Sequence, residues 1–132
     1  MSLAIGLKNE VEGRSTEETS AVAMGSGSLK VLSTPSMIAL MERAASELVD
    51  QNLPSEQTSV GISLNVKHTA ATPIGLKLRA EALITSIDGR KIIFEVRPFD
   101  ERKEIGSGTH ERFIVDRKKF QAKADAARTT GG

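Results

Sequence analysis

The most apolar segment of the chain has the spacing of a helix. Between residues 36 and about 50, apolar side chains cover most of a helical circumference and leave only a narrow polar strip. These apolar residues are Met37, Ile38, Leu40, Met41, Ala44, Ala45, Leu48 and Val49. Ser33-Thr34-Pro35 is typical of a helix start, and Asn52-Leu53-Pro54 of a helix end. Because a helix this apolar needs protein on most sides, the pattern predicts a buried central helix.

After Pro54 the apolar positions alternate, which predicts strands with one buried face. The predicted strands cover residues 58–68, 76 to about 86, 92–98, and 105 to about 116. Asp88-Gly89 predicts a tight turn between the second and the third. In the first strand the even positions are assigned to the buried face; they are Val60, Ile62, Leu64, Val66 and, at the strand end, His68.

The two ends of the chain give weaker patterns. Residues 7–14 and 19–24 each fit a short strand, and residues 25–28 fit a flexible Gly/Ser connection. Residues 118–132 are charged and contain several alanines, so residues 119–132 are expected to form a frayed helix or a disordered tail.

One apolar helix with antiparallel strands predicts an α+β fold in which the sheet curls around the helix, the hot-dog architecture. A helix of about 15 residues is about 22 Å long, short enough for one sheet to cover. Gly61, Gly106 and Gly108 supply small residues where sheet and helix approach each other. The whole chain, residues 1–132, is interpreted as a single domain of this kind.

Composition and charge exclude several classes of function. The 132 residues carry 18 basic and 17 acidic side chains and no Trp or Tyr, which argues against nucleic acid and an anionic membrane as partners. No apolar run approaches the roughly 18 residues of a membrane span, so a soluble cytoplasmic protein is expected. With no cysteine and two widely separated histidines, no metal site is predicted.

Glu42 is the candidate acidic group, because it lies on the apolar stripe of the predicted helix. Buried carboxylates are rare unless they are paired or functional. The pattern alone leaves two interpretations open. Glu42 is either the partner of a buried arginine such as Arg112, or a general base or nucleophile whose pKa is raised by desolvation.

Thr34 and His68 are the other candidates. Thr34 fits a helix N-cap, and it also fits a site residue beside the backbone N–H groups that suit an oxyanion. His68 precedes a Thr-Ala-Ala-Thr-Pro loop, where it is either a core histidine or a residue of a pocket rim that bonds Glu42 or Thr34. His110 is interpreted as structural, since it lies on a glycine-rich strand beside two charged residues.

Four segments of the sequence resemble the fluoroacetyl-CoA thioesterase branch of the hot-dog thioesterases. They are Thr34-Pro-Ser-Met-Ile-Ala-Leu-Met-Glu42, Val60-Gly61, His68-Thr-Ala-Ala-Thr-Pro-Ile-Gly75 and Gly106-Ser-Gly-Thr-His-Glu-Arg112. The likeness extends from about residue 33 to residue 120. It implies a homodimer that hydrolyses an acyl-CoA thioester and needs no cofactor beyond the coenzyme A of its substrate.

The resemblance also implies roles for single residues. The catalytic threonine, glutamate and histidine of the branch match Thr34, Glu42 and His68. Its glycine beside the acyl group matches Gly61, and its arginine near the pocket matches Arg112.

The acyl group is less defined than the chemistry. The best-known member of the branch closes its acyl pocket with phenylalanines just before the catalytic threonine, whereas residues 26–32 contain none. The expectation is therefore a thioesterase for a small or medium acyl-CoA rather than a fluoroacetyl specialist. Two alternatives stay open: a non-catalytic acyl-CoA-binding hot-dog domain, and a 3-hydroxyacyl-CoA dehydratase, although the Asp/His motif of that class is not apparent.

Overall fold

The computed structural model describes residues 2–130. The elements in chain order are β1 (Lys8–Arg14), a 3-10 turn (Glu17–Thr19), α1 (Ala21–Met24), α2 (Thr34–Asp50), β2 (Gln57–His68), β3 (Lys77–Asp88), β4 (Lys91–Asp100), β5 (Gly106–Asp116) and α3 (Arg117–Thr130). The five strands form one antiparallel sheet in the order β1-β3-β4-β5-β2. The sheet packs around α2, which confirms the predicted α+β arrangement of a sheet around a central helix.

The core lies between α2 and the concave face of the sheet. Six residues of α2 are buried, namely Met37, Met41, Ala44, Ala45, Leu48 and Val49. They face fully buried residues of β3 and β4, namely Ala80, Ala82, Ile84, Ile92, Phe94 and Val96. The alanines of both layers let the helix approach the sheet. Each large aliphatic side chain buried here contributes about 1.5–3 kcal/mol to stability. The packing of α2 against the sheet is therefore a major source of the stability of the fold.

Strand β2 departs from the predicted alternation. Gly61 pairs with Arg112 and Ser63 pairs with Glu111, so Ile62 forms a bulge in the β2–β5 ladder. A bulge shifts the side chains of one half of a strand to the opposite face. Ser59 and Gly61 therefore face the helix before the bulge, and His68 faces it after the bulge.

The predicted even face of β2 is consequently wrong for its first half. Val60 faces away from the helix, and Ile62 in the bulge is 51% exposed. Beyond the bulge, Leu64 shares the helix-facing side with His68 as predicted, yet it is 40% exposed. Two apolar side chains thus remain accessible on an edge strand of the sheet.

The N-terminal region corrects one further prediction. Residues 19–24 do not form a strand; they contribute to the 3-10 turn and to the single helical turn α1, which ends at Gly25 with φ 72°. The tail, expected as a frayed helix or disorder, forms the mostly exposed helix α3, while Gly131 and Gly132 lie outside the described residues. Within residues 2–130 no helix combines the length and apolar character that a bilayer crossing requires.

Candidate active site

Ser33 and Thr34 have different roles at the N-terminus of α2. Ser33, not Thr34, is the N-cap: its buried Oγ accepts a hydrogen bond of 3.2 Å from the backbone N–H of Ser36. Thr34 occupies the first helical position, followed by Pro35, which needs no acceptor there. The interpretation of Thr34 as the cap is therefore wrong. Its hydroxyl is free of the helix and lies 2.9 Å from Nδ1 of His68, with which it shares a hydrogen bond.

His68 stands at the last position of β2, opposite Gly106 of β5. Burial lowers the pKa of His68, against a smaller opposing effect of the Ala70 backbone. The imidazole is therefore held in the neutral form that can act as a base or as a hydrogen-bond donor at neutral pH. Its Nε2 is buried and has no hydrogen-bond partner among the described residues. A buried nitrogen of this kind is suited to a ligand or a water molecule.

Thr34 and His68 line a common cavity of about 290 Å³. Its remaining walls come from the loop after His68 (residues 69–71) and from the segment before α2, including Ser26 and Val31. Residues 26–32, which contain no phenylalanine, thus contribute to a wall of this cavity. The side chains of this wall are small or medium in size.

Glu42 lies two turns further along α2, beside Gly61 and Arg112. Its Oε2 is 3.6 Å from Nη1 of Arg112, and its side chain is 38% exposed. A Cβ atom on Gly61 would lie 2.9 Å from the same oxygen, so only glycine leaves the carboxylate its place. The structure therefore contains the arginine partner that the first interpretation of Glu42 requires. The carboxylate is only partly buried, whereas both interpretations assumed a buried carboxylate.

Arg112 is itself fixed by neutral groups. Its Nε donates to Oγ of Ser59 at 2.7 Å and its Nη2 donates to the Ser59 carbonyl at 3.0 Å. Its Nη1 lies 3.1 Å from Nε2 of His110, which is completely buried. Burial lowers the pKa of Arg112, and the charges of Glu42 and Asp50 oppose that effect.

His110 is the residue of this cluster that the sequence analysis placed in a purely structural role. Strand alternation carried a signal that was not used, because residues two apart on a strand share a face and Arg112 follows His110 by two positions. The position of His110 two residues before Arg112 therefore indicates that both side chains lie on the same buried face.

A second polar cluster supports the loop that follows His68. Asp100 accepts hydrogen bonds from Oγ1 of Thr72 at 2.8 Å and from Nη2 of Arg102 at 2.9 Å. Arg102 also donates to the Ala71 carbonyl at 3.0 Å. Although burial acts to raise the pKa of Asp100, these hydrogen bonds and those of backbone N–H groups lower it to about 2. The sequence analysis did not identify this cluster.

The structure arranges the five predicted site residues as two groups within the chain. Thr34 and His68 form the first, and Glu42, Gly61 and Arg112 form the second. Eight residues separate Thr34 from Glu42 on α2, about 12 Å along the axis. No hydrogen bond joins Glu42 to His68 within the described part of the chain. Across the same residues, no three His, Asp or Glu side chains are grouped as metal ligands would be.

Comparison with known proteins shows that the chain is similar to thioesterases. Residues 15–118 match the profile of the fluoroacetyl-CoA-specific thioesterase (FlK) family. The chain is 40% identical, over 94 residues, to the fluoroacetyl-CoA thioesterase of Streptantibioticus cattleyicolor, covering 71% of this chain and 68% of that protein.

Solved structures agree with the sequence match. The fluoroacetyl-CoA thioesterase FlK superposes with a TM-score of 0.89 and 30% identity, covering 96% of this chain and 98% of the other. A thioesterase superfamily member from Thermus thermophilus has a TM-score of 0.87 at 21% identity, covering 96% and 94% of the two chains. At that identity the second similarity supports the hot-dog fold alone.

Proposed function

Because the chain belongs to the fluoroacetyl-CoA-specific thioesterase family, we propose that it hydrolyses the thioester of a small or medium acyl-CoA. Family membership makes it a thioester hydrolase of the hot-dog fold. The observation that carries the proposal is the contact between the Thr34 hydroxyl and the His68 imidazole in the wall of a cavity.

Each candidate residue has a role that its surroundings support. The Glu42 carboxylate either attacks the thioester carbonyl or removes a proton from the attacking water. His68, neutral and with a buried Nε2, orients the substrate or water together with Thr34. In both routes the C–S bond breaks, oxygen from water enters the carboxylic acid product, and the coenzyme A thiol receives a proton. Side chains and water are sufficient for this chemistry, so we expect no cofactor.

The cavity sets the expected acyl size. Within the single chain its volume of about 290 Å³ is at the lower end of the range of ligand pockets, which favours a small or medium acyl group over a long fatty chain. The wall formed by Ser26 and Val31 offers no aromatic closure around a two-carbon group. We therefore expect a broader acyl range than fluoroacetyl, with little turnover of long-chain substrates.

We further propose that the working form is a homodimer joined through β2. This strand is an edge of the sheet, twelve residues long, and it exposes Ile62 and Leu64. Exposed edge strands are usually paired or protected. A two-fold axis near the middle of β2 would bring Gly61 and Glu42 of one protomer towards His68 of the partner subunit. The two groups of site residues would then meet across the interface.

The decisive experiment is Glu42→Gln, which preserves shape and removes the charge. Thiol release from a panel of acyl-CoA substrates should fall on the order of 100- to 10,000-fold, the usual cost of losing a general base. Glu47→Gln is the matched control, because Glu47 lies on the same helix but is exposed and paired with Arg43 at 3.4 Å. It should keep wild-type turnover and a similar melting temperature.

Other outcomes of the panel identify the alternatives. Near-wild-type turnover of Glu42→Gln removes Glu42 from the mechanism. A variant that fails to fold indicates that the ion pair with Arg112 is structural. Binding of acyl-CoA without turnover by the wild type supports the binding-domain alternative, and dehydration of a 3-hydroxyacyl-CoA supports the dehydratase.

A further inference from the structure

His110 is the most buried polar side chain of the group around Glu42, which also includes Ser59 and Arg112. It is 0% exposed and stacks on Phe94 with ring centroids 6.0 Å apart. Its Nδ1 lies 2.9 Å from the carbonyl oxygen of Ser63, and its Nε2 lies 3.1 Å from Nη1 of Arg112. Both ring nitrogens are thus in contact with a fixed partner, and Ser63 belongs to the bulged part of β2.

These two partners determine the protonation state of the ring. A carbonyl oxygen only accepts hydrogen bonds, so Nδ1 must carry a hydrogen. A guanidinium only donates, so Nε2 must be without one. The imidazole is therefore neutral with its hydrogen on Nδ1. A doubly protonated ring would place a donor and a positive charge against Arg112.

The same contacts control where Arg112 points. Ser59 accepts from Nε and Nη2, and His110 accepts from Nη1. The remaining distance from Nη1 to Oε2 of Glu42 is 3.6 Å, within reach of an ion pair but beyond a good hydrogen bond. A bidentate arginine fork is the strongest partner that a carboxylate finds in proteins, and it occupies the lone pairs that chemistry needs.

We propose that His110 is a positioning residue of the thioesterase reaction: its Nε2 holds Arg112 beside Glu42 and keeps the guanidinium from closing on the carboxylate. The inference rests on the proposed function. It explains why a buried arginine and a partly exposed glutamate lie so close without forming a hydrogen bond. Arg112 stabilises the negative charge of Glu42, while the carboxylate oxygens remain accessible to substrate or water.

Two substitutions of His110 separate this role from simple packing. In His110→Asn the amide nitrogen can replace Nδ1 towards Ser63, but nothing replaces Nε2. In His110→Gln the longer side chain can place its carbonyl oxygen near the Nε2 position and accept from Arg112. Ser63 is exposed, so water can satisfy its carbonyl in that variant.

We expect kcat to fall about 10- to 100-fold in His110→Asn, as for other residues that orient a reacting group. KM should change little, and His110→Gln should recover most of the lost activity. Melting temperatures of both variants supply the folding control. Equal losses in the two variants of an active wild type would overturn the role of His110. Absence of any acyl-CoA turnover by the wild type would instead count against the proposed function.

A second measurement needs no variant of His110. Imidazole ¹⁵N spectra of the wild type at pH 8 should show one neutral ring with its hydrogen on Nδ1. The chain has two histidines, so His68→Ala assigns the signals. A His110 ring with its hydrogen on Nε2, or one that is charged at pH 8, would contradict the proposal independently of activity.

Discussion

The N-cap of α2 is Ser33 and not the next residue, Thr34, and this determines which contacts the Thr34 hydroxyl can make. Two adjacent hydroxyl residues precede Pro35, and only one of them can cap the helix. Because Ser33 takes the cap and is 1% exposed, Thr34 is released to contact His68. The sequence showed that a hydroxyl group starts the helix, but local propensity does not distinguish serine from threonine at this position.

The two histidines predict a pH dependence of stability. Burial lowers the pKa of both His68 and His110 in the folded protein. As pH falls below about 6.5, the usual histidine value, the unfolded chain binds protons that the folded chain does not. The free energy of unfolding should therefore decrease as pH falls from about 6.5 towards the lower pKa values of the folded state.

Urea unfolding between pH 8 and pH 5 measures this effect. His68→Gln and His110→Gln should each show a smaller decrease than the wild type over that range. Asp100 does not interfere, because the stabilisation from its lowered pKa is fully present above the ordinary value of 3.8 and is lost only as pH falls from there towards about 2. Identical pH dependence in all three proteins would contradict the assignment of neutral, buried rings.

At the scale of elements, periodic patterns predicted what packing against α2 requires. The apolar stripe of α2 and the alternation of β3 and β4 were read correctly, since each of these elements buries one continuous face. The buried face of strand β2 was predicted incorrectly in its first half. The sequence alternates regularly through Ile62, but the backbone forms a bulge at this residue. The residues on either side of the bulge contact other elements: Gly61 lies against Glu42 of α2, and the Ser63 carbonyl lies 2.9 Å from Nδ1 of His110 on β5. A pattern within one strand does not contain these contacts.

The glycines of β2 and β5 give a prediction at this scale. A Cβ atom on Gly61 would meet the flexible end of Glu42 at 2.9 Å and Cε1 of His110 at 3.2 Å. A Cβ atom on Gly106 would instead collide with the backbone oxygen of Lys67. Gly61→Ala should displace the carboxylate and lower kcat on the order of 100-fold, with a near-normal melting temperature. Gly106→Ala should mainly destabilise the fold, by about 1–3 kcal/mol.

Activity and thermal unfolding measured on both variants check this difference. A Gly61→Ala protein with full activity would show that Glu42 is not held by the close approach of β2. A Gly106→Ala protein as stable as the wild type would show that the β2–β5 ladder can widen without cost.

At the scale of the molecule, the single chain contains both groups of candidate site residues but does not join them. The Thr34–His68 pair and the Glu42–Arg112 pair lie at different positions along α2. The edge strand β2 passes beside both groups and exposes Ile62 and Leu64. The resemblance of the sequence led us to propose these site residues, whereas their separation depends on the path of the chain around α2.

Complementation between two inactive variants tests the proposed shared site. In a dimer of one Glu42→Gln and one His68→Ala protomer, a shared site would draw Glu42 from one protomer and the Thr34–His68 pair from the partner subunit. One of the two sites would then be intact and the other would carry both substitutions. Random mixing yields half heterodimers, so roughly a quarter of wild-type activity should return.

Differently tagged protomers, refolded together and purified through both tags, provide the pure heterodimer and should show roughly half of wild-type activity. If each protomer instead builds a complete site, every site of the heterodimer carries one substitution and activity stays at the level of the parents. Light scattering on the same samples reports the oligomeric state. A monomer at micromolar concentration that still turns over acyl-CoA would contradict the dimer, since the two groups of residues must then meet within one chain.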